Sequence, residues 1–164
     1  MELLLLSAHV VAGIVFIGGS AVAASLFPRY VPVAAVVPAA VPDGPGAAPP
    51  ETPEATGGRD RAVAVAMHRI TRGYSALGLI VPATGIVLAV VQGRTGEIWI
   101  ILALVLTAVA GALLALEIYP RQRVALAEPG DRDRLRPLHM LVGVYNVLWA
   151  VVVVLMIVRP GSAG

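Results

Sequence analysis

Lysine and cysteine are both missing from this chain of 164 residues. Without cysteine there is no disulfide, no thiolate nucleophile and no Cys-ligated metal or iron–sulfur site. Charge of either sign is scarce, at 13% of residues, against about 25% in ordinary soluble domains. That is too little polar surface to clothe a water-soluble globule. The basic pI near 9.5 rests on a net charge of only +2. The basic residues form no stripe interleaved with aromatics, which argues against a nucleic-acid partner. Gly-rich phosphate loops, H-E-x-x-H and G-x-S-x-G are absent. No two carboxylates share an apolar run, so hydrolase, kinase and dinucleotide chemistry find no support.

What the chain has is apolar length. Hydrophobic residues make up 58% of it, with a mean hydropathy of +0.85. They gather in four runs, about Leu3–Phe27, Tyr74–Val91, Ile98–Tyr119 and Leu138–Val158. Each approaches the roughly 20 residues that cross a hydrocarbon core as a helix. Strand-type alternation is missing, which excludes a barrel reading. The expected fold is an all-α integral membrane four-helix bundle, one domain over residues 1–164. Ala21-Val22-Ala23 has the form of a cleavage site, but Met1-Glu2 lacks the positive charge of a signal peptide. The first run is therefore expected to stay as a span.

All 12 basic residues are arginine. Arg29, Arg59, Arg61, Arg69, Arg72, Arg121, Arg123, Arg132, Arg134 and Arg136 lie in or beside the first and third connections, whereas only Arg94 and Arg159 lie on the other side. Arginine near span ends stays cytoplasmic. The expectation is a multi-pass protein of a bacterial inner (cell) membrane, with loops 1 and 3 cytoplasmic and both termini outside.

The first connection, Pro28–Asp60, holds eight of the 13 prolines. Its core VPDGPGAAPPETPEATGG cannot bury a core and reads as a disordered or polyproline-like linker. Val31–Val41 is more apolar and is a candidate for the membrane surface. PxxP spacing at Pro42/Pro45 and Pro50/Pro53 is most simply part of the linker. The third connection, Pro120–Arg136, interleaves its arginines with Glu128, Asp131 and Asp133 and reads as a solvated loop near headgroups.

Spans associate through small residues and a few hydrogen bonds. Ser75, Gly78, Pro82 and Gly85 share one stripe. Thr107, Gly111 and Ala115 form a small-xxx-small ladder, and Gly13, Gly18, Gly19 and Ser20 lie in the first span. Pro82 is expected to kink the second span. Tyr30, Tyr74, Trp99 and Tyr119 read as interface anchors.

Ionisable groups inside spans are functional candidates. His9 and His139 each open an H-x-x-x-G pattern, whose glycine leaves a groove for a neighbouring helix or a flat ligand. A porphyrin would fit, with His as axial ligand. The two histidines sit toward opposite faces, about 20 Å apart in depth at 1.5 Å per residue, so they cannot ligate one ion. The likeness of the two spans also fits an inverted repeat. A second candidate cluster joins His68, Arg69, Arg72, Glu117, Tyr119 and His139 at one depth. It is either a Glu117–Arg pair that fixes packing or a proton or anion site with a titrating histidine. Asn146, near mid-membrane, needs a partner such as Thr107, Thr84 or Ser20. Which metal, if any, is involved stays open.

The stretches LLLLSAHVVAGIVFIGG, HRITRGYSALGLIVPATGIVLA and NVLWAVVVVLMIVRPG resemble spans of an uncharacterised bacterial four-span integral membrane family near the CopD/HemJ-like membrane proteins. The resemblance implies a four-helix membrane bundle with His9 at a haem-ligand position. HemJ-type enzymes also rely on an intramembrane lysine, which this chain lacks, so protoporphyrinogen oxidation is not carried over. Copper uptake lacks the Met- or Cys-rich sites that soft metals favour. The remaining expectation is a structural or accessory membrane component. The alternatives are a haem- or metal-binding protein using His9 and a small transporter or channel component. The partners expected are the lipid bilayer and a second copy or another membrane protein.

Overall fold

The structure is a computed structural model that describes residues 2–33, 60–128, 130 and 132–161. Among these residues it is all helix. It comprises α1 (Glu2–Tyr30), α2 (Arg61–Leu77), α3 (Ile80–Val91), α4 (Ile98–Ala112), a π-helical turn (Leu113–Ile118), α5 (Tyr119–Ala127), a 3-10 turn (Arg132–Leu135) and α6 (Arg136–Val158). Four rods of spanning length and apolarity result, Leu3–Tyr30, Arg61–Val91, Ile98–Ala127 and Arg132–Val158. The bulk of the Pro-rich linker lies outside the described residues. Val31 at its start is fully buried in the core.

The second rod breaks where proline chemistry requires it. Pro82 offers no N–H to the Gly78 carbonyl and its ring crowds that turn, so α2 ends at Leu77 and α3 starts at Ile80. The ladder resumes with Ala83 N–H to the Leu79 carbonyl at 3.1 Å. The polar stretch ahead of the second apolar run forms the regular helix α2, started by the Asp60 side chain accepting from Ala62 N–H at 2.7 Å.

The third rod runs past its expected end at Tyr119 and takes up much of the expected third loop. Pro120 would break an α-helical ladder. The chain instead widens into the π turn, where Tyr119 N–H donates to the Leu114 carbonyl five residues back. A local π adjustment of this kind absorbs a missing donor without ending the helix. The helix then continues as α5 to Ala127.

The rods pack unevenly along their length. At the end holding α2, α5 and the start of α6, Ala24, Phe27, Val31, Ala64, Ala110, Ile118 and Leu138 are almost completely buried in one core. This is the closed half. At the other end, α1 packs on α3 and α4 on α6, but α3 and α4 barely touch. This is the open half.

Two glycines bring α1 against the second rod. A Cβ on Gly19 would fall inside the Tyr74 phenol, and one on Gly85 would sit 3.0 Å from His9 Cε1. Gly13, Gly111 and Gly143 have no neighbour within 4 Å of a would-be Cβ. The small-residue ladder expected on the third span is therefore not a packing face, and neither H-x-x-x-G pattern holds a helix at its glycine. Tyr74 and Tyr119 pack between helices: Tyr74 meets Phe16 edge-on at 5.3 Å and Tyr119 stacks on His68 at 4.9 Å.

Candidate functional site: a cleft between α3 and α4

Where α3 and α4 part, two cavities of about 660 and 670 Å³ lie along the bundle. Both are lined by Val81, Pro82, Ile86, Leu104, Thr107 and Trp149, so they lie on either side of a shared wall. The first lies toward the α3–α4 turn and the second toward the closed core, and the linings of both are mainly apolar. Pocket volumes of about 300–1,000 Å³ suit small ligands. Both tryptophans of the chain, Trp99 and Trp149, line the first cavity.

His9 stands in this cavity wall. Its Nδ1 lies 3.2 Å from Thr84 Oγ1, which itself donates to the Val81 carbonyl at 2.9 Å. A hydroxyl has one proton. Thr84 spends it on Val81, so the hydrogen-bond network assigns the His9 proton to Nδ1, donating to Thr84. The Nε2 lone pair then has no protein partner among the described residues. Ligating histidines are commonly held this way, with the other ring nitrogen tied to a fixed acceptor. Pro82 contributes indirectly, because the break it causes starts the short helix that carries Thr84 and Gly85 to the His9 ring.

The mouth of the cavity is polar. Glu97 accepts from Arg94 Nε at 2.6 Å and from the Trp99 indole N–H. These bonds, the Trp99 one foremost, hold the Glu97 carboxyl below the usual carboxylate range. The Arg159 guanidinium lies over the Trp99 ring, 5.7 Å from its centroid, joining the end of α6 to the α3–α4 turn.

The other predicted residues disperse. Glu117 pairs with Arg121 one turn along its own rod, and both side chains are nearly half exposed. His139 is exposed, and its Nδ1 lies 2.9 Å from the carbonyl of Leu135 on its own chain segment, at the end of the bundle away from His9. Arg69 and Arg72 are exposed on α2. Of the expected cluster only His68 and Tyr119 meet, with His68 Nδ1 also 3.3 Å from Gln122 Oε1. Asn146 Nδ2 donates to Ser25 Oγ at 3.1 Å and to none of the partners expected from sequence. Ser20 is already engaged: Tyr145 reaches its hydroxyl at 2.7 Å, and Ser20 in turn donates to the Ile17 carbonyl at 3.2 Å.

Sequence reasoning missed Gln122, which is fully buried. The signal was present, since Leu114, Ile118, Gln122 and Leu126 recur every fourth residue and all four are buried. Treating Pro120 as a helix end hid it. No group of three His, Cys, Asp or Glu side chains able to hold a metal ion occurs among the described residues. Comparison with family models, curated proteins and solved structures finds no match.

Proposed function

We propose that this chain is a non-enzymatic, multi-pass membrane protein that binds an apolar molecule in the cleft between α3 and α4. The observation that carries the reading is the failure of α3 and α4 to close over the cavity that His9 lines. A bundle built only to pack would fill that space. Apolar association in lipid gains little from the hydrophobic effect, so a specific occupant needs shape and a polar anchor. The cavity supplies the shape, and His9 Nε2 supplies an acceptor. The arginine distribution supports loops 1 and 3 in the cytoplasm, which puts the cavity mouth at the outer face of a bacterial inner membrane. An accessory role beside a larger membrane protein is compatible with this reading.

The test uses the two tryptophans. In neutral detergent, bromododecane should quench intrinsic fluorescence along a saturable curve, and Gly13→Phe should abolish saturation. Gly13 lines the cavity and has no atom within 4 Å of a would-be Cβ, so a phenyl ring placed there takes up cavity volume. A curve linear in bromododecane for both proteins would contradict a binding site.

A second reading, haem binding, draws on the His9 tautomer. Met156 and Arg159 line the same cavity. If haem were bound, the Met156 thioether would be a further ligand candidate beside His9, and the Arg159 guanidinium would pair with a propionate. Haem added to the purified protein should give a Soret band that His9→Ala loses. A featureless reduced-minus-oxidised spectrum removes the reading.

A further inference from the structure

The mouth of the cleft carries a net positive charge, with Arg94 and Arg159 against the carboxylate of Glu97. Arg159 is the charged side chain in the cavity lining. The nearby carboxylate, Glu97, is already held by Arg94 and Trp99. Arg159 Nε donates to the Met156 carbonyl at 3.3 Å, and its terminal nitrogens have no acceptor among the described residues.

A left-handed helix end places that guanidinium. Arg159 adopts φ 47 and ψ 57, the left-handed region, and is the non-glycine residue with positive φ among the described residues. Helices commonly close on one such residue. The conformation closes α6, with Arg159 N–H on the Leu155 carbonyl at 2.9 Å, while the side chain turns onto Trp99. Behind the guanidinium the lining is apolar, through Ile14, Val153 and Ile157.

Resting on the apolar-binding reading, we propose that the occupant is a long-chain carboxylate, its head on Arg159 beside Trp99 and its alkyl chain laid along the apolar lining of the first cavity. The charge at the mouth selects the head. Arg94 and Arg159 against Glu97 leave one net positive charge, and the planar fork of Arg159 binds a carboxylate through two parallel hydrogen bonds. Gln92, also in the lining, adds a neutral polar group at the same end. The apolar lining behind the guanidinium selects the tail.

Quenching of the full chain in neutral detergent separates the two claims. Dibrominated stearate and its methyl ester carry the same tail and differ only in charge. The acid should half-quench at about a tenfold lower concentration than the ester, the effect of one charged hydrogen-bonded pair. Arg159→Gln should bring the acid to the ester's value, while Arg132→Gln, an exposed arginine at the far end of the bundle, should preserve the gap. Equal half-quenching of wild type by acid and ester overturns the carboxylate assignment and leaves apolar binding standing. Linear quenching by both overturns both claims. Saturable quenching by brominated phosphatidylglycerol at the concentration of the acid makes the occupant a phospholipid and overturns the single-chain assignment.

Discussion

The closed and open halves of this bundle place their polar groups differently. In the closed half, polar groups pair across helices, while Gln122 Nε2 and Asn146 Oδ1 stay buried without a hydrogen-bond partner among the described residues. Tyr145 holds Ser20, Asn146 holds Ser25, His68 meets Gln122 and Tyr119, and Arg61 Nη1 donates to the Leu126 carbonyl at 3.1 Å. In the open half the unpartnered atoms belong to side chains that line a cavity. His9 is tied at Nδ1 and open at Nε2, and Arg159 is tied at Nε and open at its terminal nitrogens. Helix composition differs between the halves, since α2 and α5 carry arginine and histidine or glutamine whereas α3 and α4 are apolar. A proline-induced break adds to it. It leaves α3 leaning on α1 and not on α4.

The contrast is broken most severely by overpacking a glycine. Gly19→Val in the closed half should cost about 1–3 kcal/mol, because the new methyl groups meet the Tyr74 ring. Gly13→Val in the open half should leave the melting temperature in detergent nearly unchanged. Equal losses at both positions would erase the distinction.

Next in size is Tyr145→Phe, which removes the hydroxyl from Ser20. Hydrogen bonds between membrane helices are worth about 0.6 kcal/mol on average and up to about 1.7. The burial of this pair argues for the upper part of that range, measured as a lowered unfolding midpoint. Glu117→Ala should matter less, about 0.3–0.5 kcal/mol, as an exposed pair one turn apart on one helix. A large loss there would mean that Glu117 reaches a partner across the bundle.

The smallest effect concerns Glu97. Its carboxyl is held below the ordinary range, so the contribution of the Arg94–Glu97–Trp99 clasp is complete above that range and is lost only as pH falls through the depressed value. In a Trp149→Phe background, Trp99 emission should hold steady from neutral pH down past the ordinary carboxylate range and shift at more acid pH. Glu97→Gln should abolish that transition. A transition at or above the ordinary range would contradict the sign of the shift.

Much of the fold was legible because apolar run length and proline chemistry are local. The four rods and the break ahead of Pro82 follow from them. The extent of the third rod did not, since Pro120 reads equally as a stop or as the cause of a π turn. Which glycine packs was also illegible. Gly19 and Gly13 look alike in sequence, and only the second rod's lean decides that one meets Tyr74 and the other faces a cavity. For the site, His9 stood out as a rare polar group in a span. Its tautomer required knowing that Thr84 is its neighbour and that Thr84's proton is already used. The role of Arg159 required the left-handed turn that lays it over Trp99.

The most direct test of the central claim, a cleft that holds one apolar molecule, is native mass spectrometry of the full chain released from neutral detergent after extraction from membranes. Wild type and Gly143→Phe should each retain one bound molecule of constant mass, because Gly143 is open but lies outside both cavities. Gly13→Phe should retain none. Equal retention by all three proteins, or a bare wild-type chain, would contradict the account.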